Sequence, residues 1–455
     1  MKPTNPYAQI FIDDGLGPKV KARYKARRDH LAKLIGHPIV LAGIENGPGH
    51  PHHWAMLSSF IFQEPLMLYL TGINQTGITL VLDPHTNEEF LFIDKKDPKK
   101  EFWEGLRFGV GSEENAHEIE TQTGFKNSLP KRQLSTFLKR YYQTPLFTFW
   151  NESSDGEILK DPHWDFKKKL RPFHPYNIAP IYQPDRILLD AQDENNLSIA
   201  NQKTTESFLN ILQNMSAFKT ESDVAAHLHY QLLTHSHFGL SFPSIVASGK
   251  NATILHYTRN TDPLDKAQLL LLDFGARWQQ MHADISRTLP LSGTFNPLQK
   301  ILYQIVLDAQ DLVEKLAKPG ITIKSLNEAC WTFINQELKK QITKKGGKIS
   351  LAYKKAPHNV SHLLGTQVHD GDPFREYRNT PLVTGNCITN EPGIYGHFTL
   401  SINGITYSDD IGIRIEDNLL ITKTGCKNLS KNCPKTISEI ESLLKGQAIL
   451  ASSAL

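Results

Sequence analysis

A run of four leucines that ends in an aspartate limits how this chain can fold. Residues 269–272 predict a buried strand, Asp273 ends it, and Asp284 follows eleven positions later beside a second apolar run. A hairpin with its turn centred on Trp278 and Gln279 would place the two aspartates directly opposite each other on one face. Like charges so placed repel each other, and a buried carboxylate is costly unless a positive group neutralises it.

Two interpretations of this aspartate pair stay open at this point. In the first, a divalent metal ion between the carboxylates resolves the conflict of charge. In the second, which the segment alone favours, Asp273 is a turn residue at a strand end and Asp284 is a hydrogen-bonded carboxylate in a loop.

Histidines are concentrated in one further segment. The sequence HNVSHLLGTQVHDGD carries three of them, at His358, His362 and His369. A second group lies in GHPHHW and has no carboxylate beside it, so we predict that it is solvated; it consists of His50, His52 and His53.

Two glutamates complete a set of candidate ligands. Glu391 lies in ITNEPGIY directly before Pro392, which favours an extended backbone at the glutamate. Glu416 lies in GIRIEDNLLIT, where strand alternation places Arg414 on the same face and able to shield the carboxylate. Four carboxylates and at least one imidazole form an oxygen-rich set that could hold two divalent ions.

Composition and charge narrow the class of protein. The chain has 455 residues with 50 Lys+Arg and 47 Asp+Glu, a net charge of +3, so it has no broad electrostatic footprint for nucleic acid. No stretch reaches about 18 apolar residues and the N-terminus lacks a signal-peptide core, so we expect a cytoplasmic protein without a membrane partner. The four cysteines are scattered, which favours reduced thiols.

The order of predicted elements indicates two domains. Residues 17–35 predict an amphipathic helix, and short apolar runs between 38 and 93 predict the strands of an α/β domain. Residues 142–184, rich in proline, lysine and aromatic residues, predict an interdomain connection. Long helical stretches then alternate with strand-like runs; the helices are predicted at residues 197–237, 301–317 and 325–342. The domains are predicted at residues 1–185 and 186–455.

These motifs together resemble those of the pita-bread-fold metallopeptidases, and within them Xaa-Pro aminopeptidase (aminopeptidase P) and its relative prolidase. The resemblance covers about residues 240–440 and lies in PSIVASGKNATILHYTRN, which contains His256, and in LLLLDFGA, ADISRTLPLSGTF, SHLLGTQVHD, NEPGIY and GIRIEDNLLITKTG. In the N-terminal half, KARRDHLAKLI and PLMLYLTGINQTGITLVLD are similar to the creatinase-like first domain of such enzymes. The implied fold is α+β, with a smaller α/β creatinase-like domain before a pita-bread catalytic domain.

The resemblance also implies a role for each candidate residue. Asp273 would bind one metal ion, Asp284 and Glu416 would bridge both ions, and His362 with Glu391 would complete the second site. The ions are expected to be Mn²⁺, with Co²⁺ or Zn²⁺ possible, and a hydroxide bridging them would be the nucleophile. The substrate and the charge that develops on it would be contacted by His256 and His369, while Glu391 relays a proton. The pocket would be completed by His358 and Arg414.

The resemblance implies hydrolysis of the N-terminal Xaa-Pro peptide bond, with peptides that have proline at the second position as substrates. A homodimer or homotetramer is expected. Prolidase, which cleaves only Xaa-Pro dipeptides, is the alternative activity. A metal-free relative, such as an inactive peptide-binding or protein-binding module or a creatinase, is a further alternative, although all five ligand positions are filled here.

Overall fold

The structure is a computed structural model of the chain. It describes residues 10–11, 17–45, 63–150, 162–236, 238–371 and 376–452. The chain divides into two compact units, Met1–Arg186 and Ile187–Leu455. The predicted solvated group of His50, His52 and His53 lies outside the described residues.

The first unit is built on a six-stranded sheet in the order β4-β3-β2-β1-β5-β6. Its three central strands are antiparallel, and the outer pairs β3/β4, β1/β5 and β5/β6 are parallel. The strands are β1 (Ile39–Ala42), β2 (Thr79–Asp83), β3 (Glu88–Ile93), β4 (Asn127–Pro130), β5 (Phe147–Thr148) and β6 (Tyr176–Asn177).

Seven α-helices accompany this sheet in the described part of the unit. The first confirms the helix predicted at residues 17–35: it buries Tyr24 and Leu31, and it ends at Gly36, which has a φ of 70°. The helices are α1 (Pro18–Ile35), α2 (Pro65–Thr71), α3 (Pro98–Glu104), α4 (Glu113–Thr123), α5 (Leu134–Leu138), α6 (Pro162–Lys169) and α7 (Ala179–Arg186).

The interdomain connection predicted at residues 142–184 is wrong in its described parts. These residues contribute β5, α6, β6 and most of α7 to the first unit. Strands of two residues are too short to show alternation, while Phe166 and Leu170 pack into an apolar cluster with Leu138 and Leu146. The high content of proline and aromatic residues therefore reflects packing in short elements and not a linker.

In its described residues, the second unit carries three three-stranded sheets and one short hairpin. The sheet orders are β11-β8-β7, β12-β14-β15 and β13-β16-β17, and β9 pairs with β10. The strands are β7 (Ile245–Ser248), β8 (Leu269–Phe274), β9 (Arg277–Trp278), β10 (Met281–His282), β11 (Ile285–Pro290), β12 (Lys348–Leu351), β13 (Cys387–Asn390), β14 (Gly393–Ile402), β15 (Ile405–Arg414), β16 (Asp417–Ile421) and β17 (Cys426–Asn428).

Long helices pack against these sheets around one large apolar core. The single helical stretch predicted at residues 197–237 is wrong, because the chain breaks after Asn214 and a new helix begins beyond Thr220. Thr220 and Asp223 form a capping box that starts this helix. The helices are α8 (Ala191–Asn214), α9 (Glu221–His235), α10 (Pro297–Leu316), α11 (Ile323–Gln341) and α12 (Ile437–Ser452). Among the described residues, no helix has the length and apolar character needed to cross a membrane.

The hairpin that carries the two aspartates has a different register from the predicted one. Asp273 pairs with Ser286, and Asp284 lies two residues before that partner, so the aspartates are diagonal neighbours on one face. The turn lies one position later than predicted, because Trp278 is a ladder residue paired with Met281. At the narrow point of the hairpin, any side chain at position 275 would collide with the Ala283 carbonyl oxygen, at 1.8 Å, so Gly275 is required there.

Candidate metal centre

The five predicted ligands come from the ends of five segments of the second unit. Asp273 lies near the end of β8, and Asp284 directly precedes β11. Glu391 lies between β13 and β14, and Glu416 lies between β15 and β16. His362 belongs to a segment that runs beside β13 through a bridge between Leu363 and Ile388. All four carboxylates therefore lie at or beside the ends of strands.

The distances between these side chains are those of a compact cluster. His362 Nε2 lies 3.5 Å from Asp284 Oδ2 and 3.4 Å from Glu391 Oε1. One ligand atom each from Asp284, His362 and Glu416 lies within 4.8 Å of the other two. Ligand atoms about 2 Å from a shared ion lie within roughly 4 Å of one another, so small side-chain movements suffice to bind one.

Backbone contacts fix the two central carboxylates. The Asp284 amide donates to Asn418 Oδ1 over 3.1 Å, and Asn418 Nδ2 donates to the Asp284 carbonyl. The Glu416 amide donates to the Ser286 carbonyl, and its own carbonyl accepts from Arg287 Nη1 over 2.6 Å. Arg287 is itself held by a buried ion pair with Asp417 at 2.7 Å. The backbone of both residues is thus held by contacts that do not use the carboxylates.

The carboxylates suit a bound cation, because a buried negative charge without a positive partner is energetically costly. Burial and the negative charges of Asp273 and Glu391 hold the pKa of Asp284 well above its usual range. Burial, then the charges of Asp284, Glu391 and Asp273, raises the pKa of Glu416 in the same way. Glu416 Oε1 and Asp273 Oδ1 are buried and have no hydrogen-bond partner in the described part of the chain. Unpartnered oxygens of this kind suit divalent cations.

Arg414 organises one side of the cluster. Its Nη2 pairs with Asp273 Oδ2 over 2.6 Å, and its Nε donates to Ser286 Oγ over 2.8 Å. Ser286 Oγ in turn donates to Glu416 Oε2 over 2.8 Å. The direct ion pair of Arg414 is therefore with Asp273, and its predicted shielding of Glu416 runs through Ser286.

A histidine and a tyrosine lie next to this arginine. Arg414 Nη1 donates to the Tyr395 hydroxyl over 3.1 Å, and that hydroxyl lies 3.0 Å from His358 Nε2. His358 Nδ1 lies 3.6 Å from Glu391 Oε2. Burial lowers the pKa of His358, which favours a neutral ring. The sequence reasoning missed Tyr395 and Ser286, although each follows a predicted ligand by a few residues.

The remaining predicted pocket histidines lie beside the cluster. The rings of His362 and His369 meet edge to face, with their centroids 4.5 Å apart. Burial, the neighbouring His362 and, to a smaller extent, His256 lower the pKa of His369 to about 4. His256 itself is exposed and lies just after a short helical turn, Gly249–Thr253.

Comparison with known proteins places this cluster in a family. A family model described as "Metallopeptidase family M24" matches residues 195–423. The chain belongs to metallopeptidase family M24. A second model, "Aminopeptidase P, N-terminal domain", matches residues 24–146. The M24 match contains all five predicted ligands.

Curated relatives are similar over most of the chain. Xaa-Pro aminopeptidase of Haemophilus influenzae is 30% identical, with 84% of this chain and 88% of the relative covered. Intermediate cleaving peptidase 55 of Saccharomyces cerevisiae is 30% identical, with 98% of this chain and 88% of the relative covered. Human Xaa-Pro aminopeptidase 3 is 28% identical, with 84% of this chain and 76% of the relative covered.

Two solved structures have the same fold as this chain. The crystal structure of Icp55 from Saccharomyces cerevisiae, which lacks its N-terminal 58 residues, has a TM-score of 0.79 and 26% identity, and covers 94% of this chain and 98% of that one. Aminopeptidase P from E. coli with the inhibitor Pro-Leu has a TM-score of 0.76 and 24% identity, and the match covers 94% of this chain and 99% of that one. The family resemblance and the two-part α+β fold predicted from the sequence are confirmed.

Proposed function

We propose that this M24 metallopeptidase is an Xaa-Pro aminopeptidase that hydrolyses the first peptide bond of peptides with proline at the second position. The observation that supports it most strongly is the buried cluster of four carboxylates and His362, with carboxylate pKa values raised by burial and mutual repulsion. The names of the curated relatives supply the substrate class.

The proposed ligand roles follow the positions of the side chains. Asp284 and Glu416 lie centrally in the cluster, and divalent ions would be held by these two carboxylates together with Asp273, His362 and Glu391. Ions held there would polarise the scissile carbonyl and supply hydroxide near neutral pH. Mn²⁺ is the proposed metal, with Co²⁺ and Zn²⁺ as alternatives, because an oxygen-rich site accepts all three.

The remaining residues bind and orient the peptide. With a pKa near 4, His369 is neutral at pH 7 and keeps one ring N–H, which can donate to the oxygen of the scissile carbonyl. His256 is exposed and offers a second imidazole to the substrate. Glu391 accepts the proton of the attacking water and passes it to the proline nitrogen, which becomes the leaving amine.

A dedicated site is useful because a peptide bond to proline is unusual. The proline nitrogen carries no hydrogen and its φ is fixed, so a protease that binds an extended substrate through that N–H handles it poorly. A rigid cluster at strand ends recognises the carbonyl and the free amino end of the peptide instead.

Prolidase activity is the nearest alternative, and an inert peptide-binding or protein-binding module is the other. All five ligand positions are filled and gathered in one place, which favours an enzyme over an inert module. A cytoplasmic location and a homodimer or homotetramer stay predictions from the sequence.

Peptide length separates the two activities. We expect a metal-loaded preparation to release the first residue from an Xaa-Pro-Yaa tripeptide and from longer Xaa-Pro peptides, because the proposed activity is not restricted to dipeptides. Chromatographic product analysis should be run in parallel on the tripeptide, the Xaa-Pro dipeptide and an Xaa-Ala-Yaa control. Cleavage of the dipeptide alone would identify a prolidase, and cleavage of none of them would overturn the proposed function.

A further inference from the structure

A fully buried carboxylate lies outside the candidate metal centre. Glu221 is the first residue of α9, and its exposed fraction is 0%. Its position at a helix N-terminus favours the negative charge. A buried carboxylate of this kind needs hydrogen-bond donors, and their identity indicates what it does.

Five neutral donors surround this side chain. Glu221 Oε1 accepts from the Ser248 amide at 2.8 Å, from Ser248 Oγ at 2.9 Å and from Asn251 Nδ2 at 3.0 Å. Glu221 Oε2 accepts from the Tyr257 hydroxyl at 2.7 Å and from the Asp262 amide at 3.0 Å. The Glu221 amide also donates to the Asp262 carbonyl over 2.9 Å. One side chain therefore uses both oxygens to hold one stretch of chain.

The donors lie at the beginning, middle and end of a single loop. Residues 248–262 leave the end of β7 at Ser248 and return beside the start of α9 at Asp262. His256 lies in this loop, directly before Tyr257. The carboxylate closes the loop at its base and also anchors the residue that follows the histidine.

Tyr257 connects the loop to the candidate metal centre. Its ring is buried in an apolar cluster that also contains Leu271 and Tyr395. Tyr395 carries the hydroxyl that contacts both His358 and Arg414. A change in the position of Tyr257 would therefore move His256 relative to those residues.

We propose that Glu221 is a positioning residue that fixes His256 at the substrate site by holding the loop of residues 248–262. This inference rests on the proposed function for the role of His256. A carboxylate is needed because it is acceptor-only: glutamine would turn an N–H₂ group towards two existing donors.

The test is Glu221→Gln, measured by peptide hydrolysis and by hydrogen exchange. We expect kcat/KM for Xaa-Pro-Yaa to fall by about 10- to 100-fold, since a small misplacement of a substrate-binding group has an effect of this order. In a His256→Ala background the same change should have less than about a twofold further effect, because coupled residues are not additive. A purely structural role would lower both backgrounds equally and would overturn the proposal.

Hydrogen exchange tests the loop without relying on catalysis. We expect faster exchange in Glu221→Gln for peptides covering residues 248–262, and unchanged exchange in β8 and β11. Unchanged exchange in the loop would also overturn the proposal. The two proposals can also fail separately. If the wild type cleaves no Xaa-Pro peptide but exchange in the loop is faster in the variant, Glu221 does fix the loop and the proposed function is wrong.

Two further variants distinguish the proposed effect from a general loss of folding. Asp223→Asn is the matched control, because Asp223 lies in the same helical turn but accepts from the Lys219 and Thr220 amides instead. It should leave kcat/KM within about twofold, because its side chain is exposed and asparagine retains an oxygen that can accept from the same two amides. Tyr257→Phe removes the hydrogen bond from the hydroxyl to Glu221 and the one that the hydroxyl accepts from Asn251 Nδ2, and it should also reduce kcat/KM.

Discussion

Replacing Asp284 with Asn is expected to lower Xaa-Pro hydrolysis at least about a thousand-fold, or about 4 kcal/mol of transition-state stabilisation, while the protein stays folded. The amide has one acceptor oxygen in place of two and carries no charge, so it would hold a divalent cation much less well. Its backbone remains held, since Asn418 contacts the amide and carbonyl groups of Asp284 and not its carboxylate.

The same preparations should be examined for kcat/KM, bound metal and melting temperature. Glu416→Gln should reproduce the result, because the Glu416 carboxylate is buried beside Asp284, and burial and the charge of Asp284 raise its pKa. Asp410→Asn is the matched control: this half-exposed aspartate of β15 pairs with His397 on the hairpin and not with the cluster. An Asp284→Asn enzyme with full activity and full metal content would refute the assignment.

For the metal-free protein, the free energy of unfolding is expected to fall as the pH rises. The pKa values of Asp284 and Glu416 lie above their usual range in the folded state, so the folded protein holds extra protons. The stabilisation from these two groups is complete below about pH 4, where unfolded carboxyls also protonate, and is lost as the pH rises through the raised folded pKa. Each extra proton lowers the free energy of unfolding by about 1.4 kcal/mol per pH unit within that window.

Denaturant unfolding of the metal-free protein between pH 5 and 8 measures this effect. The reference is metal-free Asp284→Asn/Glu416→Gln, which retains His358 and His369, whose lowered pKa values act in the opposite direction. The wild type should lose stability relative to this variant as the pH rises, and added Mn²⁺ should reverse the trend because it binds deprotonated ligands. Parallel stability profiles would mean that the carboxylates do not repel each other in the folded state.

The sequence was sufficient to place the carboxylates on common faces but not to fix their register. The predicted hairpin put Asp273 and Asp284 on one face, and the structure agrees, although they are diagonal neighbours and not directly opposite. The register shifted because the turn contains Gln279 and Gln280, and neither residue specifies a tight turn as Asn-Gly does. Gln279 nevertheless adopts a φ of 52°, which no residue preference would have predicted.

Local sequence patterns could not identify the residues that act through long-range contacts. Ser286 lies between Arg414 and Glu416, 128 and 130 positions away in the sequence, and a serine in a strand gives no sign of such a role. Glu221 is similar, since its partners become visible only when the loop is folded. The break between α8 and α9, in contrast, had a local signal in Thr220 and Asp223.

Hydrolysis of an Xaa-Pro-Yaa peptide before and after exhaustive chelation tests the central claim most directly. The same sample should be assayed as purified, after removal of divalent ions verified by elemental analysis, and after return of Mn²⁺. We predict up to two divalent ions per chain at the start, activity below about a thousandth of the original once they are removed, and recovery when they are returned. Full activity in a sample free of divalent ions would contradict the proposal that Asp273, Asp284, His362, Glu391 and Glu416 form a catalytic metal centre.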